Sequence, residues 1–158
     1  MSTLRPSDRP LDGTDRRVAV VAARFNGDVV DRLLAGALGA LESHGVDPTR
    51  IRLERVPGAW EIPLALEAFA RHGEVDLAVA LGAVIRGETA HFEYVAAACS
   101  RGAGEVSLRH RFPIGFGVLT CDTLAQALAR AGGAAGNKGE EAALAALEMA
   151  QVLARIEA

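Results

Sequence analysis

The residues able to do chemistry cluster in a few short stretches of the chain. The richest runs Gly82-Ala83-Val84-Ile85-Arg86-Gly87-Glu88-Thr89-Ala90-His91. An apolar run ends there, Gly87 frees the backbone for a tight turn, and Thr89 stands where a following helix would place its cap or first turn. A helix N-terminus offers unpaired N–H groups and a partial positive charge, which together make a seat for an anion such as phosphate. His91, two residues into that helix, would face the same crevice and move protons near neutral pH. Read alone, His91 is equally a surface residue at a turn. Three further stretches follow apolar runs: Ala23-Arg24-Phe25-Asn26, Pro57-Gly58-Ala59-Trp60-Glu61-Ile62-Pro63 and Thr120-Cys121-Asp122. Phe25 and Trp60 are bulky aromatics at turns, where a purely structural loop would be small and polar. A Gly-rich segment, Arg130 to Gly139, could cradle phosphate on its amides with help from Arg130 and Lys138. Alone it reads equally as a flexible connection between helices, and no Ser or Thr follows Lys138 as a P-loop would need.

The remaining reactive types are quieter. Cys99 and Cys121 lack metal or redox spacing and have no partner to activate them. Phe116 lies inside an apolar run, where core packing is the ordinary role. His44, His72 and His110 read as helix-end residues.

These stretches need elements to hold them. Residues 17–23, Ile51–Val56, Leu77–Ile85 and Ile114–Thr120 are short apolar runs bounded by turn residues, and read as buried strands. Between them the spacing predicts helices: one capped by Asn26 or Asp28 and ending at His44-Gly45, and one from about Ala59 to His72-Gly73. A third starts near Thr89 and runs to about Leu108, with Gly102 and Gly104 weakening its far end. The last two cover Asp122–Ala131 and Gly139 to the C-terminus. Strands alternating with helices give βαβ units, so the fold expected is a three-layer αβα sandwich on a four-stranded parallel sheet. In such sheets ligands bind beyond the carboxyl ends of the strands, where the four stretches that follow apolar runs lie.

The chain has 158 residues and a formal charge of −3, which fits one domain at 17–158 after a flexible tail at 1–16. The near-neutral balance excludes a general nucleic-acid binder, and no run of about 18 apolar residues exists to span a membrane. With no apolar core for a signal peptide, the expected location is cytoplasmic. Ala-rich helices with little bulk on any face suggest packing against a neighbouring subunit. Of 17 basic residues only Lys138 is a lysine, and it stands in the Gly-rich loop. Lys is a compact point charge and Arg a wide planar fork, so the expectation is that Lys138 is there for its shape.

ARFN at 23–26, VPGAWEIP at 56–63, LGAVIRGETAHFEYV at 81–95, FGVLT at 116–120 and RAGGAAGNKG at 130–139 together resemble lumazine synthases. The resemblance runs in register from residue 17 to the C-terminus. It implies condensation of 5-amino-6-(D-ribitylamino)uracil with 3,4-dihydroxy-2-butanone 4-phosphate, with no metal and no organic cofactor. It also implies that Phe25 stacks on the pyrimidine, and that Ala59, Trp60 and Glu61 hold the ribityl chain and ring edge. Backbone groups of Ala83, Val84 and Ile85 would read the uracil, Glu88 and Thr89 would bind phosphate, and His91 would transfer protons. Sites in that family lie between subunits of a flavodoxin-like pentamer. Phe116, Arg130 and Lys138 would therefore come from the adjacent chain, Phe116 as the second aromatic wall and Arg130 as the phosphate clamp.

The sequence departs from that pattern in two places. Position 88 is often small in the family, and the Glu88 carboxylate would repel phosphate unless it turned to solvent or to a nearby Arg. Pro6 and Pro10 remove N–H donors from the tail and suit an added strand poorly, favouring free or paired pentamers over a sixty-subunit shell. Alternatives from other classes are a carrier that binds flavin or lumazine without turnover, and a structural shell subunit. A flavodoxin-type redox domain would need a phosphate loop after the first strand, which Arg24-Phe25-Asn26-Gly27 is not.

Overall fold

The computed structural model describes residues 5–158. Strands β1 (Val18–Ala23), β2 (Ile51–Val56), β3 (Leu77–Ile85) and β4 (Ile114–Cys121) form one parallel sheet in the order β2-β1-β3-β4. The helices are α1 (Gly27–Ser43), α2 (Ile62–His72), α3 (His91–His110), α4 (Leu124–Ala129) and α5 (Lys138–Ile156). A small antiparallel hairpin, β5 (Ala131–Gly133) with β6 (Gly136–Asn137), joins the last two.

β1 shows why the sheet must be sandwiched. Its side chains alternate between faces, yet all six residues are buried. Val18, Val20 and Ala22 pack into the core under α1 and α5, while Ala19, Val21 and Ala23 pack into the core under α2 and α3. The αβα sandwich is therefore the architecture, as the alternation of elements requires. Among the described residues no helix is long and apolar enough to cross a membrane.

Several boundaries and environments differ from the sequence expectation. β2 is an edge strand rather than a buried one: Arg52, Leu53 and Arg55 are exposed because only β1 pairs with it. The charged residues of Ile51–Val56 carried that signal, since charges blunt an exposed edge. α2 is preceded by a separate 3-10 turn at Ala59–Glu61, which leaves Pro63 at the start of the α-helix, where a missing N–H costs nothing. α3 runs unbroken past Gly102 to His110. Gly102 is small for a tertiary reason, because a Cβ there would press on the Pro63 ring 2.7 Å away. α4 is shorter than its expected span; Thr123 caps it by accepting from Gln126 N–H at 3.2 Å.

The Gly-rich segment is neither an open cradle nor a loose tether. Gly132 and Gly136 adopt positive φ, which glycine tolerates without strain, and so close the β5–β6 hairpin. Asn137 then caps α5, its Oδ1 accepting from Gly139 N–H (2.9 Å) and Glu140 N–H (3.1 Å). Its Nδ2 donates to Arg32 O at 3.0 Å, fastening the hairpin to α1. Gly139 lets α5 approach α1 so closely that a Cβ would run into the Leu33 carbonyl.

Part of the stretch read as a flexible tail is also tied down. Gln151 Nε2 donates to Pro10 O (3.2 Å), Asp12 N–H donates to Gln151 Oε1 (2.7 Å), and Gly13 N–H donates to His44 O (2.7 Å).

Candidate active site

The site begins where the sheet stops pairing. β1 and β3 are in register only as far as Ala22–Leu81, whereas β3 and β4 continue to Ile85–Cys121. The last residues of β3 therefore stand beside a gap at the point where strand order reverses. Beyond the sheet the loops after β1 and β2 are joined, with Arg24 N–H donating to Val56 O (2.8 Å) and Phe25 N–H to Pro57 O (3.1 Å). That pairing sets Phe25 beside the Ala59–Glu61 turn. The turn is shaped by Glu61, whose Oε2 accepts from Gly58 N–H at 2.9 Å.

The resulting crevice has a volume of about 260 Å³. Phe25 and Asn26 line it from the β1 loop, Gly58, Ala59 and Trp60 from the β2 loop, and Ala83, Val84 and Ile85 from β3. The first turns of α3 close it with His91, Phe92 and Val95. Phe25 and Trp60 are 72% and 62% exposed, so two large aromatic surfaces stand open to a ligand. Phe92 and Val95 were not foreseen, although Val95, four residues after His91, shares its helix face.

Two details of the helix termini correct the expectation. α3 begins at His91 itself, with Ala90 in the cap position and no side-chain cap; Thr89 Oγ1 lies 3.5 Å from His91 N, too far for a firm bond. The bend at Glu88 and Thr89 delays the helix, so His91 is its first residue rather than two residues inside. Asn26 holds the cap position of α1 but does not cap it. It sits at φ 56° and ψ 46°, and its Nδ2 donates instead to Ala83 O at 2.7 Å.

An uncapped helix start keeps its N–H groups and partial positive charge available to an anion. Glu88 and Thr89 lie exposed just before it. The nearest cation on the loop, Arg86, is already committed: its Nε donates to Asp122 at 2.8 Å, and its guanidinium lies 4.2 Å over the Phe92 ring. Glu93 is a second acidic neighbour at 3.8 Å.

Seven of the expected residues thus share one crevice: Phe25, Ala59, Trp60, Ala83, Val84, Ile85 and His91. Glu61 supports the β2 loop without lining the crevice, and Glu88 and Thr89 flank it. Phe116, Arg130 and Lys138 are elsewhere on this chain. Phe116, a core residue if read alone, is 43% exposed on the edge strand β4. Arg130 ends α4 and donates from Nη1 to Gln126 O at 2.9 Å. Lys138 opens α5 and pairs with Glu141 at 2.6 Å, so part of its charge is answered within the chain.

The cysteines stay outside the chemistry. Burial pushes the Cys99 thiol up to about 11, and burial likewise raises Cys121 despite the opposing pull of Arg130. Among the described residues no group of three His, Cys, Asp or Glu could hold a metal ion. A larger hollow of about 500 Å³ lies between residues 5–11, His44 and the first turns of α5, away from the carboxyl ends of β1–β4 and with no Phe, Trp or Tyr in its lining.

Residues 15–154 match the family model described as 6,7-dimethyl-8-ribityllumazine synthase. The 6,7-dimethyl-8-ribityllumazine synthase of Desulfovibrio desulfuricans is 50% identical over 156 residues, covering 99% of this chain and 100% of that protein.

Proposed function

The chain belongs to the 6,7-dimethyl-8-ribityllumazine synthase family, and we propose that the crevice at the β1–β3 gap is where it works. It is a transferase that joins 5-amino-6-(D-ribitylamino)uracil to 3,4-dihydroxy-2-butanone 4-phosphate, releasing 6,7-dimethyl-8-ribityllumazine, phosphate and water. This is the penultimate step of riboflavin biosynthesis.

Phe25 stacks on the pyrimidine, and Trp60 and Ala59 flank its ribityl chain. Backbone groups of Ala83, Val84 and Ile85 read the ring edge, on the side of β3 that β1 has left. Glu61 takes part through its second carboxylate oxygen, because Oε2 is held by Gly58 N–H. The phosphate of the second substrate sits at the start of α3, on main-chain N–H groups of Glu88 and Thr89 and on the Thr89 hydroxyl. Charge repulsion keeps the Glu88 carboxylate turned away.

The pyrimidine 5-amino group attacks the butanone carbonyl, and loss of water forms the imine. His91, beside that seat, moves the proton released as the carbon–oxygen bond to phosphate breaks. Loss of phosphate with the C3 proton leaves an enol, which tautomerises so that C3 becomes a new carbonyl and C4 a methyl group. The ribitylamino nitrogen closes the ring on that carbonyl with loss of a second water. Holding the two substrates together supplies the larger share of the acceleration, as much as about 7–11 kcal/mol at ideal geometry. Enclosure protects the imine from hydrolysis.

The enclosure comes from a second subunit of a pentamer, which brings Phe116, Arg130 and Lys138. The open aromatic faces of Phe25, Trp60 and Phe116 support this, since exposed apolar area of that kind calls for a cover. The observation that carries the functional reading is the meeting of His91 with the Phe25 and Trp60 walls at the sheet's switch point. The test is to mix both substrates with the purified protein and follow lumazine fluorescence and phosphate release. Flavin or lumazine binding with no product would overturn the reading in favour of a carrier.

A further inference from the structure

Asn26 is the one residue of the crevice whose backbone is unusual. At φ 56° and ψ 46° it lies in the left-handed region, which costs a non-glycine residue something unless its surroundings hold it there. The usual compensation at this position would be a helix cap, and Asn26 makes none. Its side chain reaches a carbonyl 57 residues away instead, Ala83 O at 2.7 Å. That carbonyl lies on the last stretch of β3, two residues past the end of its pairing with β1. The amide of Asn26 thus replaces the missing rung of the sheet, across the gap that forms the crevice.

The bond links two walls that hold the same ring. Phe25, next to Asn26, is one wall, and the Ala83–Ile85 backbone is the edge reader. We infer that Asn26 is a positioning residue for the pyrimidine subsite, fixing the spacing between the Phe25 ring and the Ala83–Ile85 edge through its hydrogen bond to Ala83 O. This rests on the functional reading above. The left-handed backbone turns Asn26 so that its side chain spans the gap while the chain proceeds into α1. The phosphate seat at the start of α3 is not touched by this bond.

Three variants separate the bond from the backbone. Asn26→Gly keeps the left-handed conformation and loses the bond; Asn26→Asp tolerates the conformation but presents an acceptor to the Ala83 carbonyl; Asn26→Ala loses both. Steady-state kinetics with each substrate varied in turn, together with the dissociation constant of the lumazine product by fluorescence, are the readouts. Expected is a rise of roughly fivefold to tenfold in the pyrimidine KM and the product dissociation constant for Asn26→Gly, about the worth of one neutral hydrogen bond. Asn26→Asp should be the worse of the two, and the butanone phosphate KM should stay within about twofold in both. An Asn26→Gly protein with unaltered pyrimidine KM overturns the inference, because the backbone conformation alone would then suffice. Equal rises in both KM values also overturn it, as a general loosening of the fold. Failure of the wild-type protein to form product would instead strike the functional reading, leaving product binding to judge Asn26.

Discussion

Replacing Phe25 with Ala separates binding from folding. The ring is 72% exposed, so little of it contributes to the core, and its removal should change folding stability by no more than about 0.5 kcal/mol. Binding is another matter. A phenylalanine presents roughly 200 Å² of surface, so about 145 Å² stands open here and a pyrimidine on one face covers about 70 Å². At roughly 25 cal/mol per Å², that burial is worth about 1.8 kcal/mol. Stacking geometry adds about 0.5–1.5 kcal/mol, and the Cβ that Ala retains returns a few tenths. The sum, about 2–3 kcal/mol, corresponds to about 30- to 150-fold weaker pyrimidine binding. The assay is titration of the lumazine product by fluorescence, which reports binding without the kinetic content of KM. Phe25→Leu should recover most of the area and little of the stacking, falling in between. A Phe25→Ala protein that binds product within threefold of wild type, or that unfolds several degrees earlier, would refute the reasoning.

His91→Ala should slow turnover by about 10²–10⁴-fold in initial-rate assays while leaving measurable product, because general acid–base catalysis is the smaller contribution; complete inactivity in a folded protein would contradict that ordering. Arg130→Ala should raise the KM for butanone phosphate and spare that for the pyrimidine, and steady-state kinetics with each substrate varied in turn checks the split. Gly139→Ala forces α5 off the Leu33 carbonyl and should cost about 1–3 kcal/mol in a urea unfolding curve. Burial of the Asp76 carboxyl opposes ionisation, but hydrogen bonds from the Arg17 backbone and guanidinium outweigh it and hold its pKa below the usual range. Its contribution is therefore present above the ordinary carboxylate pKa and lost as pH falls through the lowered one. The stability difference between wild type and Asp76→Asn, measured by thermal melts, should shrink on acidification below about pH 4.

The strands were legible because burial on both faces writes an uninterrupted apolar run, as in Leu77–Ile85. The candidate site was legible for a related reason: Phe25 and Trp60 follow β1 and β2, His91 opens the helix after β3, and strand ends in a parallel sheet share one side. Where the reading slipped, the deciding contact was distant in sequence. Asn26 looked like a cap because caps are local, and nothing near it announced Ala83. Gly102 looked like a helix weakness because Pro63, which needs the room, is 39 residues earlier. β2 looked buried although Arg52, Glu54 and Arg55 already marked it as an edge. The Gly-rich segment left two readings open, and the Asn137 bond to Arg32 closed it into a third.

Sequence alone determined the kind of sheet, the order of its four strands and five helices, and the side of the sheet on which chemistry gathers. Those follow from periodicity and turn chemistry, which act over a few residues. Only the tertiary structure decided where β1 and β3 part, how Asn26 bridges that gap, and which expected residues one chain can bring together. Phe25 and His91 meet because both follow strands on either side of the switch point. Phe116, Arg130 and Lys138 lie elsewhere on the chain, because β4, the end of α4 and the start of α5 carry them outside the gap. Such placements depend on which surfaces pack, and packing is a property of pairs of segments that no local stretch contains.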